Sequence, residues 1–149
     1  EVIKPAQEKA DSILDPNFAN QYPLDILIAE DHPVNQMLIQ RILVKLGYKT
    51  TMAQNGLEAL HKVSENTYDV VLMDVQMPEM DGFASTGHIR KLDVTQPYII
   101  AMTANALAED REICLSKGMD NYISKPLKLE ILVAVLKEAY AIKKGTLIH

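Results

Sequence analysis

Residues 69–82 read Asp69-Val70-Val71-Leu72-Met73-Asp74-Val75-Gln76-Met77-Pro78-Glu79-Met80-Asp81-Gly82. The run Val70 to Met73 is almost wholly apolar and short, the mark of a strand buried on both faces. It ends on Asp74, and Pro78 and Gly82 then mark a loop before a helix that starts near Phe83. Three further runs are built alike. Asp25-Ile26-Leu27-Ile28-Ala29 leads into Glu30-Asp31, Tyr98-Ile99-Ile100-Ala101-Met102 into Thr103, and Asn121-Tyr122-Ile123-Ser124 into Lys125-Pro126. As parallel strands of one sheet, these runs bring three carboxylates, a hydroxyl and an ammonium to a single edge. That set suits a divalent cation and a phosphoryl group.

Amphipathic helices separate the runs. Val34, Leu38, Ile42 and Leu46 fall at i, i+4 spacing, broadened by Met37, Ile39 and Leu43, and Gly47 closes this helix. Lys49 to Ala53 reads as a polar, β-branched strand, and Asn55-Gly56 turns into a helix from Leu57 to Ser64 or Glu65. Further helices are expected from Phe83 to about Leu92, from about Leu107 to Lys117, and over the stripe Leu129, Leu132, Val135, Leu136 and Ala139. Five β-then-α units predict a doubly wound α/β fold, a three-layer sandwich with helices on both faces of a parallel sheet. The polar Lys49 strand suits an edge, which favours the flavodoxin-like order 2-1-3-4-5. The ligand crevice then falls between the first and third strands, beside Glu30, Asp31 and Asp74.

The 149 residues make one domain: residues 24–143, with a leader or linker over 1–23 and a tail over 144–149. A hydrophobic fraction of 48% and a net charge of -5, with no basic cluster, exclude a nucleic-acid backbone as direct partner. No apolar stretch reaches the ~20 residues that cross a bilayer. The one cysteine, Cys114, fits a reducing, cytoplasmic location and reads as a small core residue. A start at Glu1 suggests a piece of a longer polypeptide.

Crowded acids repel unless a cation sits among them, and a few oxygen ligands with room for water favour Mg²⁺. Taken singly, Asp31 is equally well a helix cap, Asp74 a solvated strand end, Thr103 a cap and Lys125 a surface charge. Taken together, Asp74 is a carboxylate nucleophile whose charge metal would partly cancel, and Thr103 and Lys125 are donors for phosphoryl oxygens. A main-chain carbonyl in the following loop, Val75 to Gly82, could complete the metal shell, and Gln76 is the candidate for it.

The stretches Ile28-Ala29-Glu30-Asp31, Met73 to Gly82, Met102-Thr103-Ala104-Asn105-Ala106 and Ser124-Lys125-Pro126 resemble the receiver domains of two-component response regulators, from about Leu24 to Lys143. The resemblance implies that Asp74 accepts a phosphoryl group from phosphohistidine on a histidine kinase domain or a histidine phosphotransfer protein. It implies that Glu30 and Asp31 hold Mg²⁺ with it, that Thr103 and Lys125 bind the phosphoryl oxygens, and that Tyr122 changes rotamer with Thr103. Gln76 and Asn105 flank the approach of water and would tune the phosphoryl lifetime. Asp31-His32-Pro33-Val34-Asn35-Gln36 is similar to the segment of receivers in hybrid sensor kinases, where Asn usually stands in place of His32. A second copy of the domain is a further candidate partner on phosphorylation.

Three alternatives stand beside this reading. One is a stand-alone regulator. Another is an aspartyl-phosphate phosphatase of the haloacid dehalogenase type, which would carry an Asp where Gln76 stands. The third is a degenerate interaction module. Gly87, inside a helix, has no role legible in the sequence.

Overall fold

The computed structural model describes residues 15–104 and 108–144. Strands β1 (Ile26–Ala29), β2 (Thr50–Ala53), β3 (Val70–Asp74), β4 (Tyr98–Thr103) and β5 (Asn121–Ser124) alternate with helices α2 (Pro33–Lys45), α3 (Gly56–Glu65), α4 (Gly82–Arg90), α5 (Ala108–Ser116) and α6 (Leu129–Lys143). A short α1 (Phe18–Gln21) precedes them. The sheet is parallel throughout, in the order β2-β1-β3-β4-β5, as the strand compositions predict.

Register explains the layering. Ile28 stands beside Met52 and Leu72, and Leu72 beside Ile100, so alternate residues of each strand line opposite faces. One face (Ile26, Ile28, Leu72, Ile100) packs against Ile39 and Leu43 of α2 and Leu132 and Leu136 of α6. The other (Leu27, Val71, Ile99) packs against Ala59 and Val63 of α3, Ile89 of α4 and Cys114 of α5. Cys114 is a core residue, as read, and burial pushes its thiol pKa up. No described helix is long and apolar enough to cross a membrane.

Two expectations are corrected. The α2 stripe is only half buried: Ile39, Leu43 and the capping Leu46 lie in the core, whereas Val34, Met37 and Leu38 remain 56%, 58% and 51% exposed. The last three, like Val44 (57% exposed) near the other end of α2, lie off the side of the helix that carries Ile39, Leu43 and Leu46, and so face solvent. The segment 15–23 is also not a free leader. Phe18 is buried in the first core layer, its ring 4.8 Å from Tyr22 and 6.1 Å from Tyr48. The Ala19 amide donates to the Leu46 carbonyl at 2.9 Å, and the Tyr48 hydroxyl donates to the Tyr22 carbonyl at 2.6 Å. Gly47, at φ 98°, ends α2 where Pro16 and Ala19 lie too close to admit a side chain. Three scattered apolar residues in a polar stretch gave no periodicity by which this docking could be read.

Candidate functional site

The ends of β1, β3, β4 and β5 surround a cleft of about 380 Å³ lined by Glu30, Asp31, Asp74, Gln76, Thr103 and Lys125. Its walls are set locally. Pro33 opens α2, and His32 is the N-cap, with Nδ1 accepting from the Val34 amide at 3.2 Å. The histidine therefore does what a capping Asn does, and Asp31 is left exposed toward the cleft rather than spent as a cap. After β3, the Gly82 amide donates to the Val75 carbonyl at 2.9 Å, and Asp81 caps α4 through the Ala84 amide at 2.8 Å. A Cβ on Gly82 would overlap the Asp74 carbonyl, so only glycine lets the loop close this tightly behind Asp74.

Glu30, Asp31 and Asp74 each offer a carboxylate oxygen, all within 4.8 Å of one another. Glu30 and Asp74 are buried. The Lys125 ammonium lies 3.0 Å from Asp74 Oδ2 and 3.0 Å from Glu30 Oε1. Glu30 Oε1 is sealed from solvent and has this ion pair but no hydrogen bond of good geometry. Oε2 accepts from the His32 amide at 3.0 Å. Burial alone would raise the Glu30 pKa, but the His32 amide and the Lys125 ammonium outweigh it and hold the carboxyl below its ordinary range. Asp74 goes the other way. Burial, with the facing Glu30 charge, raises its carboxyl pKa despite the Lys125 hydrogen bond and the hydrogen bond that the Gln76 backbone amide donates to Oδ1 at 3.2 Å. Lys125 loses basicity by burial but gains more from Asp74 and Glu30, so its pKa is raised.

Lys125 and four acids, Glu30, Asp31, Asp74 and Asp110, line the cleft, which leaves it with an excess of negative charge and a hard-oxygen donor set. These residues fit a Mg²⁺ ion: the protein ligands are few and the cleft is open enough for water.

The structure brings Asp74, Glu30, Asp31, Gln76, Thr103 and Lys125 into one cleft. Thr103 is buried at the end of β4, and its carbonyl accepts from the Lys125 amide at 2.7 Å. Tyr122 sits on the edge strand β5 beside Ala101 and is half-buried against the second core layer, outside the cleft. Asn105 lies outside the described residues. Two contacts had no sequence signal: the pairing of Lys125 with Glu30, and a bond from Gln36 Nε2 to the Glu30 carbonyl at 2.6 Å.

A parallel sheet in this order, with acids at the switch point and a lysine across from them, has the architecture of a receiver domain. Residues 26–137 match the family model of the response regulator receiver domain. The chain belongs to that family, whose members act in two-component phosphorelays and use Mg²⁺. It is 46% identical over 111 residues to the sensor histidine kinase RcsC of Salmonella typhimurium, covering 74% of this chain and 12% of the kinase. It is also 46% identical over 128 residues to hybrid signal transduction histidine kinase H of Dictyostelium discoideum, covering 83% and 9%. The chain thus spans about a tenth of the length of these relatives. Among solved structures it resembles the receiver domain of the Pseudomonas aeruginosa sensor histidine kinase PA1611, which has a magnesium ion coordinated in the active site cleft. That match has a TM-score of 0.73 and 40% identity, covering 79% of this chain and 98% of that one. It also resembles the Saccharomyces cerevisiae receiver of Ssk1 in co-crystals with the histidine phosphotransfer protein Ypd1. There the TM-score is 0.74 and the identity 26%, covering 80% and 90%.

Proposed function

We propose that Asp74 is the phosphorylated residue and that this receiver takes its phosphoryl group from phosphohistidine. An Asp74 carboxylate oxygen attacks phosphorus, the N–P bond breaks, and the imidazole nitrogen keeps the electron pair. The observation that carries this reading is the placement of Asp74 at the end of β3, with the Lys125 ammonium at 3.0 Å and two further acids beside it. Glu30, Asp31 and Asp74, with the Gln76 carbonyl, would hold Mg²⁺, which supplies charge neutralisation at the phosphoryl oxygens. Lys125 orients Asp74 and donates to the transferred group, and Thr103 adds a hydroxyl. Movement of Thr103 toward the phosphoryl group, followed by Tyr122, would carry the change to the β4–β5 side of the domain. Gln76 and Asn105 set the lifetime of the acyl phosphate.

The exposed face of Val34, Met37 and Leu38 adjoins a groove lined by Leu38, Ile42, Pro126 and Leu127 beside Lys125. Its apolarity at the mouth of the cleft suits the donor protein, a histidine kinase domain or a phosphotransfer protein like the Ypd1 partner of Ssk1. The identities to RcsC and kinase H support a parent hybrid histidine kinase. The lone, buried thiol of Cys114 fits a reducing, cytoplasmic location for this domain. A second copy of the domain remains a partner for the phosphorylated form.

Incubation with phosphoramidate, which carries an N–P bond, followed by borohydride reduction and peptide mapping, tests the assignment. Modification at Asp74 alone is expected. Modification that maps to Asp31 or to no acid overturns it.

A further inference from the structure

We propose that Gln36 is a positioning residue for the metal-binding acids, an inference that rests on the assignment of Glu30 and Asp31 to Mg²⁺. Gln36 lies one turn into α2, half-buried, with its side chain directed back under the β1–α2 turn. Its Nε2 donates at 2.6 Å to the Glu30 carbonyl and at 3.1 Å to Gln54 Oε1. Gln54 stands on the β2–α3 turn, and its own amide donates to Glu58 Oε1 at 3.1 Å. Glu58 is held in turn, its amide donating to the Asn55 cap at 2.8 Å. A continuous chain of hydrogen bonds therefore runs from the start of α3 through Gln54 and Gln36 to the peptide group that joins Glu30 to Asp31.

That peptide group is where restraint is most needed. The Glu30 carboxylate is fixed by Lys125 and the His32 amide, and its backbone amide donates to the Ala53 carbonyl at 3.1 Å. Asp31 is the exposed member of the acidic group, so repulsion from Glu30 and Asp74 can swing it outward into water. Anchoring the Glu30 carbonyl fixes the peptide plane from which the Asp31 side chain departs, and so holds the Asp31 carboxylate within ligating distance. Partners that orient metal ligands are worth about 10–100-fold in metal affinity. Gln36 acts through the backbone, so the low end of that range applies.

Calorimetric Mg²⁺ titration of the unphosphorylated chain tests this, with Gln36→Met (similar length, no amide) beside the wild type and Asp31→Asn. Gln36→Met is expected to bind Mg²⁺ about tenfold more weakly. Half-saturating Mg²⁺ for phosphorylation should rise in parallel, while the rate at saturating Mg²⁺ stays within about twofold. A merely structural residue would lower the metal-free Tm and leave the Mg²⁺ affinity of the folded chain unchanged, and that result overturns the proposal. If Gln36→Met does not fold, Gln36→Ala decides, because it too removes the bond to the Glu30 carbonyl: weaker Mg²⁺ binding by the folded chain supports the proposal and unchanged binding refutes it. A wild type that binds no Mg²⁺, or an Asp31→Asn variant that binds it undiminished, instead removes the metal assignment beneath it.

Discussion

Lys125 Nζ stands 3.0 Å from Asp74 Oδ2, across the gap between the end of β5 and the end of β3. The same ammonium is 3.0 Å from Glu30, so one flexible side chain joins the first, third and fifth strands at their reactive ends. Replacing it with the apolar Lys125→Met leaves two buried carboxylates facing each other. Breaking a fully buried pair costs about 3–5 kcal/mol; the Lys125 side chain is 24% exposed, so about 1–3 kcal/mol is expected at pH 7. The Lys125 pKa is raised on folding, so its contribution is complete below the unfolded lysine value of about 10.4 and is lost as pH rises through the folded one. The deficit of the variant should therefore be full at pH 7 and shrink toward pH 4 as the carboxylates take up protons. Urea denaturation at both pH values measures it.

Asp74 itself should be a cost to the metal-free fold. Its carboxyl pKa is raised, so ionisation disfavours the folded state; that cost is absent below the unfolded value of about 3.9 and grows as pH rises through the folded one. Asp74→Asn removes the charge and leaves Lys125 paired with Glu30. Without Mg²⁺ at pH 7 its Tm should exceed that of the wild type. At pH 3 the gain should vanish. Added Mg²⁺ should raise the wild-type Tm more than that of the variant.

Phe18→Ala tests whether segment 15–23 belongs to the domain. Phe18 is 6% exposed and packs against Tyr22 and Tyr48. Emptying such a site costs about 3 kcal/mol, and a chain starting at Leu24 should lose at least as much. Thermal melting distinguishes this from a free leader, for which neither change would matter.

Gly87 carries an opposite expectation. A Cβ there would meet no atom within 4 Å outside its chain neighbours and its own helix backbone, so Gly87→Ala should stabilise the chain by about 0.5–1 kcal/mol through helix propensity and lost unfolded-state entropy. Chemical denaturation reads this directly, and a neutral or destabilised variant would mean that a partner or a second state uses the space.

Much of the fold and most of the cleft were legible in the sequence because they depend on short-range patterns. The apolar runs ending at Ala29, Met73 and Met102 fix strands, and strand ends are where parallel sheets expose side chains, so Glu30, Asp74, Thr103 and Lys125 converge as expected. Periodicity failed at α2, because apolar residues surround most of the helix and i, i+4 spacing alone does not say which side meets the sheet. Ile39, Leu43 and Leu46 do, whereas Val34, Leu38 and Val44 face solvent. It failed again at Phe18, whose ring packs on Tyr22 and Tyr48, with Tyr140 of α6 packed in turn on Tyr22. The role of His32 as a cap and that of Gln36 as an anchor depend on side-chain direction within one turn, which residue type alone does not specify.

Intact-mass spectrometry after incubation with Mg²⁺ and acetyl phosphate, with Asp74→Asn alongside, tests most directly whether Asp74 is an Mg²⁺-dependent phosphoacceptor. One added phosphoryl group is predicted on the wild type, none when Mg²⁺ is chelated beforehand, and none on Asp74→Asn. Equal uptake by the variant, or uptake indifferent to Mg²⁺, would contradict the account.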